Sequence, residues 1–272
     1  KTKNYSFIPC QPSLVGDAID QIVNLSIKRG FKKDDVQVLG AMYNGQGGIT
    51  HLNDILQDVM NPMSSKTKVI EAHNESFRIG DRILQLQNNP EKDIYNGQIG
   101  KIIGLNPDDK AKILIADFDG REIDFNVKDL NDITRAYAIT IHKSQGSEFP
   151  LVILNLTMQN YMMLRRNLLY TAITRAEKNL VMVGEKKAYL MALRTPGNDR
   201  KTDLASKIRH ELGLKEVVEH NSNANTKQEQ VQTEIKEEIN EPKDYILTPD
   251  LIYSGKIDPM IGMEDIKLKT RD

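Results

Sequence analysis

An eight-residue segment at residues 149–156, FPLVILNL, constrains the fold more than any other feature of the sequence. It is almost uninterruptedly apolar, and such a run predicts a strand in the core of the protein. A polar stretch with one glycine, HKSQGSE, leads directly into it. A polar stretch at the end of a core strand usually faces a ligand, so we expect a binding site next to this strand.

The segments around this strand alternate between strand and helix patterns. We predict further strands at residues 5–10, 35–43 and 179–184, and helices at residues 14–30, 49–62, 161–178 and 186–194. Gly30 and Pro62 end the first two helices. Alternating strands and helices are the signature of a parallel sheet flanked by helices, so the fold class is α/β.

The pattern changes between residues 75 and 130, where four short strand candidates follow one another without a helix. Asp119-Gly120 separates two of them and predicts a hairpin, because both residues tolerate positive φ. Asn96-Gly97 predicts a second turn of the same type. This region therefore predicts a small antiparallel barrel inserted into the α/β domain.

The composition of the chain is that of a globular protein, with 39% hydrophobic and 28% charged residues and a net charge of −1. The single cysteine, Cys10, is expected to be buried and inert, and the lack of any possible internal disulfide fits a reducing compartment. No apolar run predicts a membrane span or a signal segment, so we expect a cytoplasmic protein. Residues 216–272 are polar and acidic, and we expect them to form a largely disordered tail.

The sequence contains no phosphate-binding loop of the form G-x-x-x-x-G-K-[ST]. Gly100-Lys101 and Gly255-Lys256 are each followed by isoleucine, which lacks the hydroxyl that holds magnesium. The segment ILIADFDG imitates a strand that ends in a magnesium-binding aspartate, but a plain hairpin is the better interpretation. Any site for nucleoside triphosphate hydrolysis on this chain is therefore incomplete.

Two polar stretches carry the functional information. The first motif, AITIHKSQGSEF, occupies residues 138–149, and the second motif, LLYTAITRAEKNLVMVG, occupies residues 168–184. In the second motif, Thr171, Thr174, Arg175 and Lys178 are expected on the helix face opposite the apolar one. Taken alone, the first motif is explained better by a solvated loop and the second by a solvated helix face.

Taken together, with a core strand between them, the two motifs resemble motifs V and VI of superfamily-one helicases, and the RecD-like subgroup most closely. Residues 37–62, QVLGAMYNGQGGITHLNDILQDVMNP, look like the motif IV region of those enzymes. Residues 78–89 and 95–102 look like the start of their SH3-like insert, called 2B. The resemblance covers about residues 1–215.

The resemblance implies a domain organisation. Residues 1–74 and 131–215 would form a split RecA-like domain, called 2A, and residues 75–130 the SH3-like insert. Helicases of this family bind ATP and Mg²⁺ between two RecA-like domains, of which the first carries the phosphate-binding loop and the metal-binding acids. That first domain is missing here, so we expect this chain to be the C-terminal half of an ATP-dependent DNA helicase and to be inactive alone.

The resemblance also implies roles for individual residues at the ATP site. Arg175 would be the arginine finger that stabilises negative charge on the γ-phosphate. Gln145 and Gly146 would approach the same phosphate, and Glu148 would accept a hydrogen bond from the ribose.

At the other end of the first motif, Thr140, His142 and Lys143 would contact the phosphates of single-stranded DNA. The family pattern implies 5′-to-3′ movement and a role in DNA repair. In the insert, a DNA-holding surface and a solvated barrel surface are equally plausible for a set of basic and amide residues: Arg78, Arg82, Gln85 and Lys101.

Two alternatives remain open. The first is a non-catalytic interaction module for nucleic acid or protein, built on a degenerate RecA-like domain. The joint presence of Gln145, Glu148 and Arg175 argues against it. The second is another branch of superfamily one, against which the small size of the insert argues. The tail could bind a protein partner or serve only as a spacer.

Overall fold

The computed structural model describes residues 4–45, 47–65 and 67–197. The predicted tail at residues 216–272 lies outside the described residues. The chain begins with β1 (Tyr5–Pro9), α1 (Val15–Lys28), β2 (Val36–Gly40) and α2 (Ile49–Met60). An antiparallel insert follows, and its strands, β3 to β9, are given below. After the insert the chain continues with β10 (Ala138–Thr140), β11 (Phe149–Leu156), α3 (Arg166–Ile173), β12 (Ala176–Gly184) and α4 (Lys186–Arg194).

The main sheet has the strand order β1-β12-β11-β2-β10, and every neighbouring pair is parallel. Alternate residues of its strands point to opposite faces, as the pleat requires. On one face Val38 and Ile153 join the cluster that α1 and α2 cover, and on the other Leu39 and Leu154 join the cluster of α3 and α4. The predicted α/β fold class is therefore confirmed.

The inserted region forms antiparallel sheets, as predicted. Its strands are β3 (Val69–Ala72), β4 (Glu75–Arg78), β5 (Arg82–Gln85), β6 (Ile99–Leu105), β7 (Leu114–Phe118), β8 (Arg121–Phe125) and β9 (Ile133–Arg135). The larger sheet has the order β8-β7-β6-β5-β9, while β3 and β4 pair with each other. These strands extend from residue 69 to residue 135, and the domain boundaries at residues 75 and 130 stay a prediction.

The turns of the insert agree with the prediction in one case and differ in another. Asp119 and Gly120 both have positive φ and join β7 to β8 as a tight hairpin. At Asn96-Gly97 only Gly97 has positive φ, and a long connection separates β5 from β6, so the prediction of a second turn of this type was wrong. The matching second turn lies between β3 and β4, where His73 and Asn74 both have positive φ.

The helix predicted at residues 161–178 is much shorter. Residues 158–163 form 3₁₀ turns, α3 ends at Ile173, and Ala176 already belongs to β12. The strand begins there because Ala176 pairs with Phe149 of β11, a tertiary contact that the helical pattern could not show. Thr171 therefore lies on α3, whereas Arg175 follows it in a turn and Lys178 lies on a strand, so these residues do not share a helix face.

The insert is fixed to the α/β domain by a buried carboxylate. Asp81 is fully buried, and four donors share its two oxygens, each at 2.7 Å: the Gln57 amide, the Asn61 amide, the Arg78 backbone N–H and the Tyr137 hydroxyl. Burial and the charge of Asp81 raise the pKa of Tyr137 well above its ordinary value, so its hydroxyl remains a donor. Gln57 and Asn61 come from α2 and its C-terminal end, so this cluster joins the helix to the insert.

Three of the insert residues considered as a DNA-holding or solvated surface are buried instead. Arg78 and Arg82 are 7% exposed and Gln85 is 1% exposed. The Arg82 guanidinium donates to the Val36 carbonyl at 2.9 Å and to the Gln37 side chain at 2.7 Å. The interpretation as a surface was therefore wrong for these residues. The side-chain partners of Arg78 and Arg82 lie on α2 and β2, far away in sequence, whereas the Gln85 amide donates to the nearby Gln87 carbonyl at 3.0 Å. Lys101 is exposed, as predicted.

Cys10 is buried, as predicted, and its environment keeps it inert. Burial, assisted by the nearby charge of Asp17, raises the pKa of its thiol to about 11. A thiol that stays protonated is a poor nucleophile and a poor metal ligand. Within the described ranges, no helix is long and apolar enough to cross a membrane.

Candidate functional site

The two motifs meet at the edge of the main sheet. We call residues 141–148, which connect β10 to β11, the motif loop. Thr140 ends β10 at the level of Gly40, whereas Leu151 of β11 pairs with Val36. Four residues of a strand separate these levels, so the loop descends at least about 13 Å along the strand direction. It therefore connects the carboxyl edge of the sheet to its amino edge.

Arg175 lies at the amino edge of the sheet and contacts the C-terminal end of the motif loop. Its Nη1 donates to the Ser147 carbonyl at 2.9 Å, Nε to the Thr171 carbonyl at 3.2 Å, and Nη2 to the Thr174 hydroxyl at 3.1 Å. Its own carbonyl accepts from the Phe149 N–H at 2.9 Å. A guanidinium has five N–H donors, so three hydrogen bonds leave two donors for a ligand.

Three other predicted residues of the ATP site lie on the same part of the loop. Gln145, Gly146 and Glu148 are all exposed. Gly146 has a φ of +89°, and a Cβ there would meet nothing within 4 Å, so its backbone is open to an approaching ligand. Neither the Gln145 amide nor the Glu148 carboxylate bonds to any other described residue. The structure thus brings these residues to the edge at which Arg175 lies.

The residues predicted to contact DNA lie at the N-terminal end of the motif loop, next to the carboxyl edge of the sheet, and they differ in exposure. Thr140 is only 6% exposed, and its hydroxyl accepts from the Lys143 N–H at 3.3 Å, so it stabilises the turn that begins the loop. His142 is exposed, and Lys143 is half-buried. The Lys143 ammonium donates to the Asn96 side chain of the insert, a contact that the sequence did not suggest.

An open pocket of about 650 Å³ lies between the insert and the motif loop. Asn96, Gly97 and Gln98 line it from the insert, and Gln145 and Ser147 line it from the loop. Its remaining walls include three carboxylates and two cations: Asp34, Asp117, Asp119, Arg82 and Lys101. Lys101 forms an ion pair with Asp34 at 3.3 Å, which spans the boundary between the insert and the α/β domain.

The donor set at the amino edge suits phosphate better than it suits a metal ion. Arg175, Gln145 and the open backbone at Gly146 supply N–H donors, which bind phosphate oxygens. Within the described ranges, no group of three or more histidine, cysteine, aspartate or glutamate side chains is arranged to hold a metal ion.

The strand order, the antiparallel insert and the position of the two motifs define a class of protein: a parallel α/β domain interrupted by a small β insert. Comparison with protein families identifies the two parts. Residues 135–183 match the UvrD-like helicase C-terminal domain, and residues 52–118 match the SH3 domain of ATP-dependent RecD-like DNA helicases. The second match includes most of α2, the helix that anchors the insert.

Individual relatives agree with these families. The ATP-dependent RecD2 DNA helicase of Deinococcus radiodurans is 34% identical over 64% of this chain and 23% of its own length. The RecBCD enzyme subunit RecD of Buchnera aphidicola (subsp. Acyrthosiphon pisum) is 33% identical over 57% of this chain and 25% of its own length. The chain thus spans about a quarter of the length of each of these two relatives. The predicted resemblance to the C-terminal portion of RecD-like superfamily-one helicases is therefore confirmed.

Solved structures with a similar fold are more distant. A Pif1 helicase from Bacteroides in complex with ADP-AlF3 and single-stranded DNA is 16% identical, covers 75% of this chain and 54% of its own, and superimposes with a TM-score of 0.41. The Pif1 helicase of Candida albicans is 15% identical and covers 71% of this chain and 57% of its own, with a TM-score of 0.40. At these scores the likeness is loose, and the strand order given above defines the fold.

Proposed function

We propose that this chain is the C-terminal motor half of an ATP-dependent DNA helicase. In the proposal it completes an ATP site with an arginine finger and grips single-stranded DNA, and it is inactive without a second RecA-like domain. We call that second domain the P-loop domain, and the two together the complete enzyme. The proposal includes the cytoplasmic location that we predicted from the sequence.

The contact between Arg175 and the motif loop is the observation that carries the proposal. The guanidinium bonds to the Ser147 carbonyl, so the second motif is held against the first at the amino edge of the sheet. Its position is fixed by three hydrogen bonds, and two N–H groups remain. A preorganised, permanently charged group is what stabilises charge on a transferring phosphoryl group.

The neighbouring residues would bind the rest of the nucleotide. The Gln145 amide and the backbone of Gly146 would donate to the γ-phosphate, and the Glu148 carboxylate would accept from the ribose hydroxyl. All three are exposed, so a nucleotide held by the P-loop domain could reach them. The magnesium ion of such a site would neutralise phosphate charge, and its protein ligands would lie in the P-loop domain.

The DNA would contact the N-terminal end of the same loop. His142 is exposed, and the Lys143 ammonium has three donors, of which one is used by Asn96. Because a single loop reaches from these residues to Arg175, closure on ATP would shift the grip on DNA. Thr140 would act mainly through the turn that it stabilises, since its side chain is buried.

Substitution of Arg175 in the complete enzyme tests the proposal. We expect Arg175→Ala to lower the ATPase kcat by about a thousandfold or more, as for other arginine fingers. Arg175→Lys keeps the charge but loses the planar fork, so we expect it to recover only part of that loss. Lys178→Ala is a matched control, because Lys178 is an exposed cation of the same motif whose one ion pair within the described ranges is with its neighbour Glu177.

A full-rate Arg175→Ala enzyme would overturn the proposed role of this residue. If the complete enzyme bound DNA but hydrolysed no ATP, the alternative of a non-catalytic interaction module would replace the helicase proposal.

A further inference from the structure

We propose that Asn96 of the insert is a positioning residue: it orients Lys143 of the motif loop, and through this contact the insert sets the grip on single-stranded DNA. This inference rests on the proposed function and deepens it, because it assigns the insert a part in the DNA site. We call residues 95–98 of the insert the insert turn.

The insert turn and the motif loop are in direct contact. The Lys143 ammonium donates to Asn96 Oδ1, and a Cβ placed on Gly97 would lie 3.8 Å from the Lys143 carbonyl oxygen. A lysine side chain is otherwise a flexible chain with a strongly hydrated head. One fixed acceptor therefore restricts where the remaining two N–H groups of the ammonium can point.

The insert turn is itself held by hydrogen bonds on every residue. The Tyr95 N–H donates to the Gln98 side chain at 2.7 Å, the Asn96 N–H to Asn88 Oδ1 at 2.9 Å, and the Gly97 N–H to the Gln85 carbonyl at 2.9 Å. Supporting bonds of this kind keep a functional group in a fixed geometry. Asn96 therefore presents its acceptor from a fixed position.

The insert cannot shift easily relative to the main sheet. Arg82, two residues before Leu84 on β5, is bound to the Val36 carbonyl and Gln37 through buried hydrogen bonds. Leu84 belongs to the same hydrophobic cluster as Ile141, the first residue of the motif loop. Moving the insert turn away from the loop would break buried contacts, each of which is costly to leave unmade.

Charge around the insert turn explains why its role concerns Lys143. The pocket on one side of the turn contains three carboxylates (Asp34, Asp117 and Asp119) and two cations. Lys101 is already paired with Asp34, and Arg82 is buried and bonded to β2. The Asp117 and Asp119 carboxylates of the insert repel a phosphate backbone, so a DNA strand is disfavoured along that wall of the pocket. Lys143 offers the phosphate-binding cation next to the turn, and Asn96 bonds to it directly.

The test is the DNA dependence of ATP hydrolysis by the complete enzyme, measured with a thymidine-only single-stranded oligonucleotide. We expect Asn96→Ala to raise the DNA concentration for half-maximal stimulation about two- to fivefold, the effect of losing one exposed charged contact. Turnover at saturating DNA should change less, since Arg175 is untouched. Lys143→Met should raise the same concentration, and adding Asn96→Ala to it should have no further effect, because Asn96 acts through Lys143.

Asn106→Ala is the matched control, because Asn106 is an exposed asparagine whose hydrogen bonds to other described residues all stay within the insert. It donates to the Lys112 and Ile113 carbonyls and accepts from the Asp109 N–H. All variants should unfold at the same urea concentration as the parent, which separates a positioning effect from a loss of fold. The inference is overturned if Asn96→Ala behaves like Asn106→Ala, or if its effect adds fully to that of Lys143→Met. Failure of the proposed function would look different, because the parent enzyme itself would then show no DNA-stimulated hydrolysis.

Discussion

Replacement of Asp81 by asparagine changes one atom of a carboxylate that four donors share in the interior of the protein. One carboxylate oxygen accepts from Gln57 and Arg78, and the other from Asn61 and Tyr137. An amide has one oxygen and one NH₂ group, so two of the four donors would face another donor. At about 1–3 kcal/mol for each lost buried hydrogen bond, the free energy of unfolding should fall by about 2–6 kcal/mol. That is a large share of the roughly 5–15 kcal/mol by which domains are stable.

Urea denaturation followed by circular dichroism measures this loss. Asp119→Asn is the matched control, because it removes the same charge at an exposed hairpin position with positive φ, which asparagine also tolerates. We expect that control to change the free energy of unfolding by less than about 0.5 kcal/mol. Equal stability of the Asp81→Asn and Asp119→Asn proteins would refute the reasoning that this carboxylate anchors the insert.

Three further predictions concern other parts of the molecule. In Gly184→Ala the new Cβ would lie 2.1 Å from the Leu156 carbonyl oxygen, at a φ of +123°. Urea denaturation should therefore show that the free energy of unfolding falls by more than the about 1–3 kcal/mol expected from backbone strain alone. Gly120→Ala, whose Cβ would meet nothing within 4 Å, should lower it less. Burial raises the pKa of the Cys10 thiol from 9.0 to about 11. The contribution of the protonated thiol to the free energy of unfolding should therefore be complete below pH 9 and lost as the pH rises through 11. At pH 8, alkylation of Cys10 in the folded protein should be roughly a hundredfold slower than in the urea-unfolded protein. In the complete enzyme, Lys143→Met should reduce the slope of log Kd for single-stranded DNA against log salt by about 0.7, as measured by fluorescence anisotropy, and an unchanged slope would exclude a phosphate contact.

The sequence predicted those elements whose pattern is local. The strand at residues 149–156 and the helix at residues 186–194 have the predicted bounds, because an apolar run and an amphipathic period each report burial directly. Asp119-Gly120 predicted its hairpin because the two residue types tolerate positive φ. The same signal exists in His73-Asn74, where asparagine favours that conformation, and it could have been found.

The sequence could not predict elements that depend on distant partners. Ala176 is followed by Glu177 and Lys178, which give no sign of a strand, and Ala176 joins one only because it pairs with Phe149. Arg78 and Arg82 look like surface residues, since charged side chains are seldom buried. Their burial depends on acceptors on α2 and β2 that the fold brings to them.

The candidate site was predicted in its residues but not in its geometry. Arg175 and the motif loop were recognised from two separate motifs, whereas the bond from Arg175 to Ser147 crosses 28 positions of sequence. The contact between Lys143 and Asn96 joins the motif loop to the insert and has no sequence signature. The roles of these residues in binding ATP and DNA stay predictions.

Reconstitution of ATP hydrolysis tests the central claim most directly. The chain would be mixed with the separately produced P-loop domain, and ATP turnover measured with and without single-stranded DNA, for the parent and for Arg175→Ala. We predict turnover only in the mixture, stimulated by DNA and lost in Arg175→Ala. A folded complex of the two parts that hydrolyses no ATP, or one in which Arg175→Ala is fully active, would contradict the account.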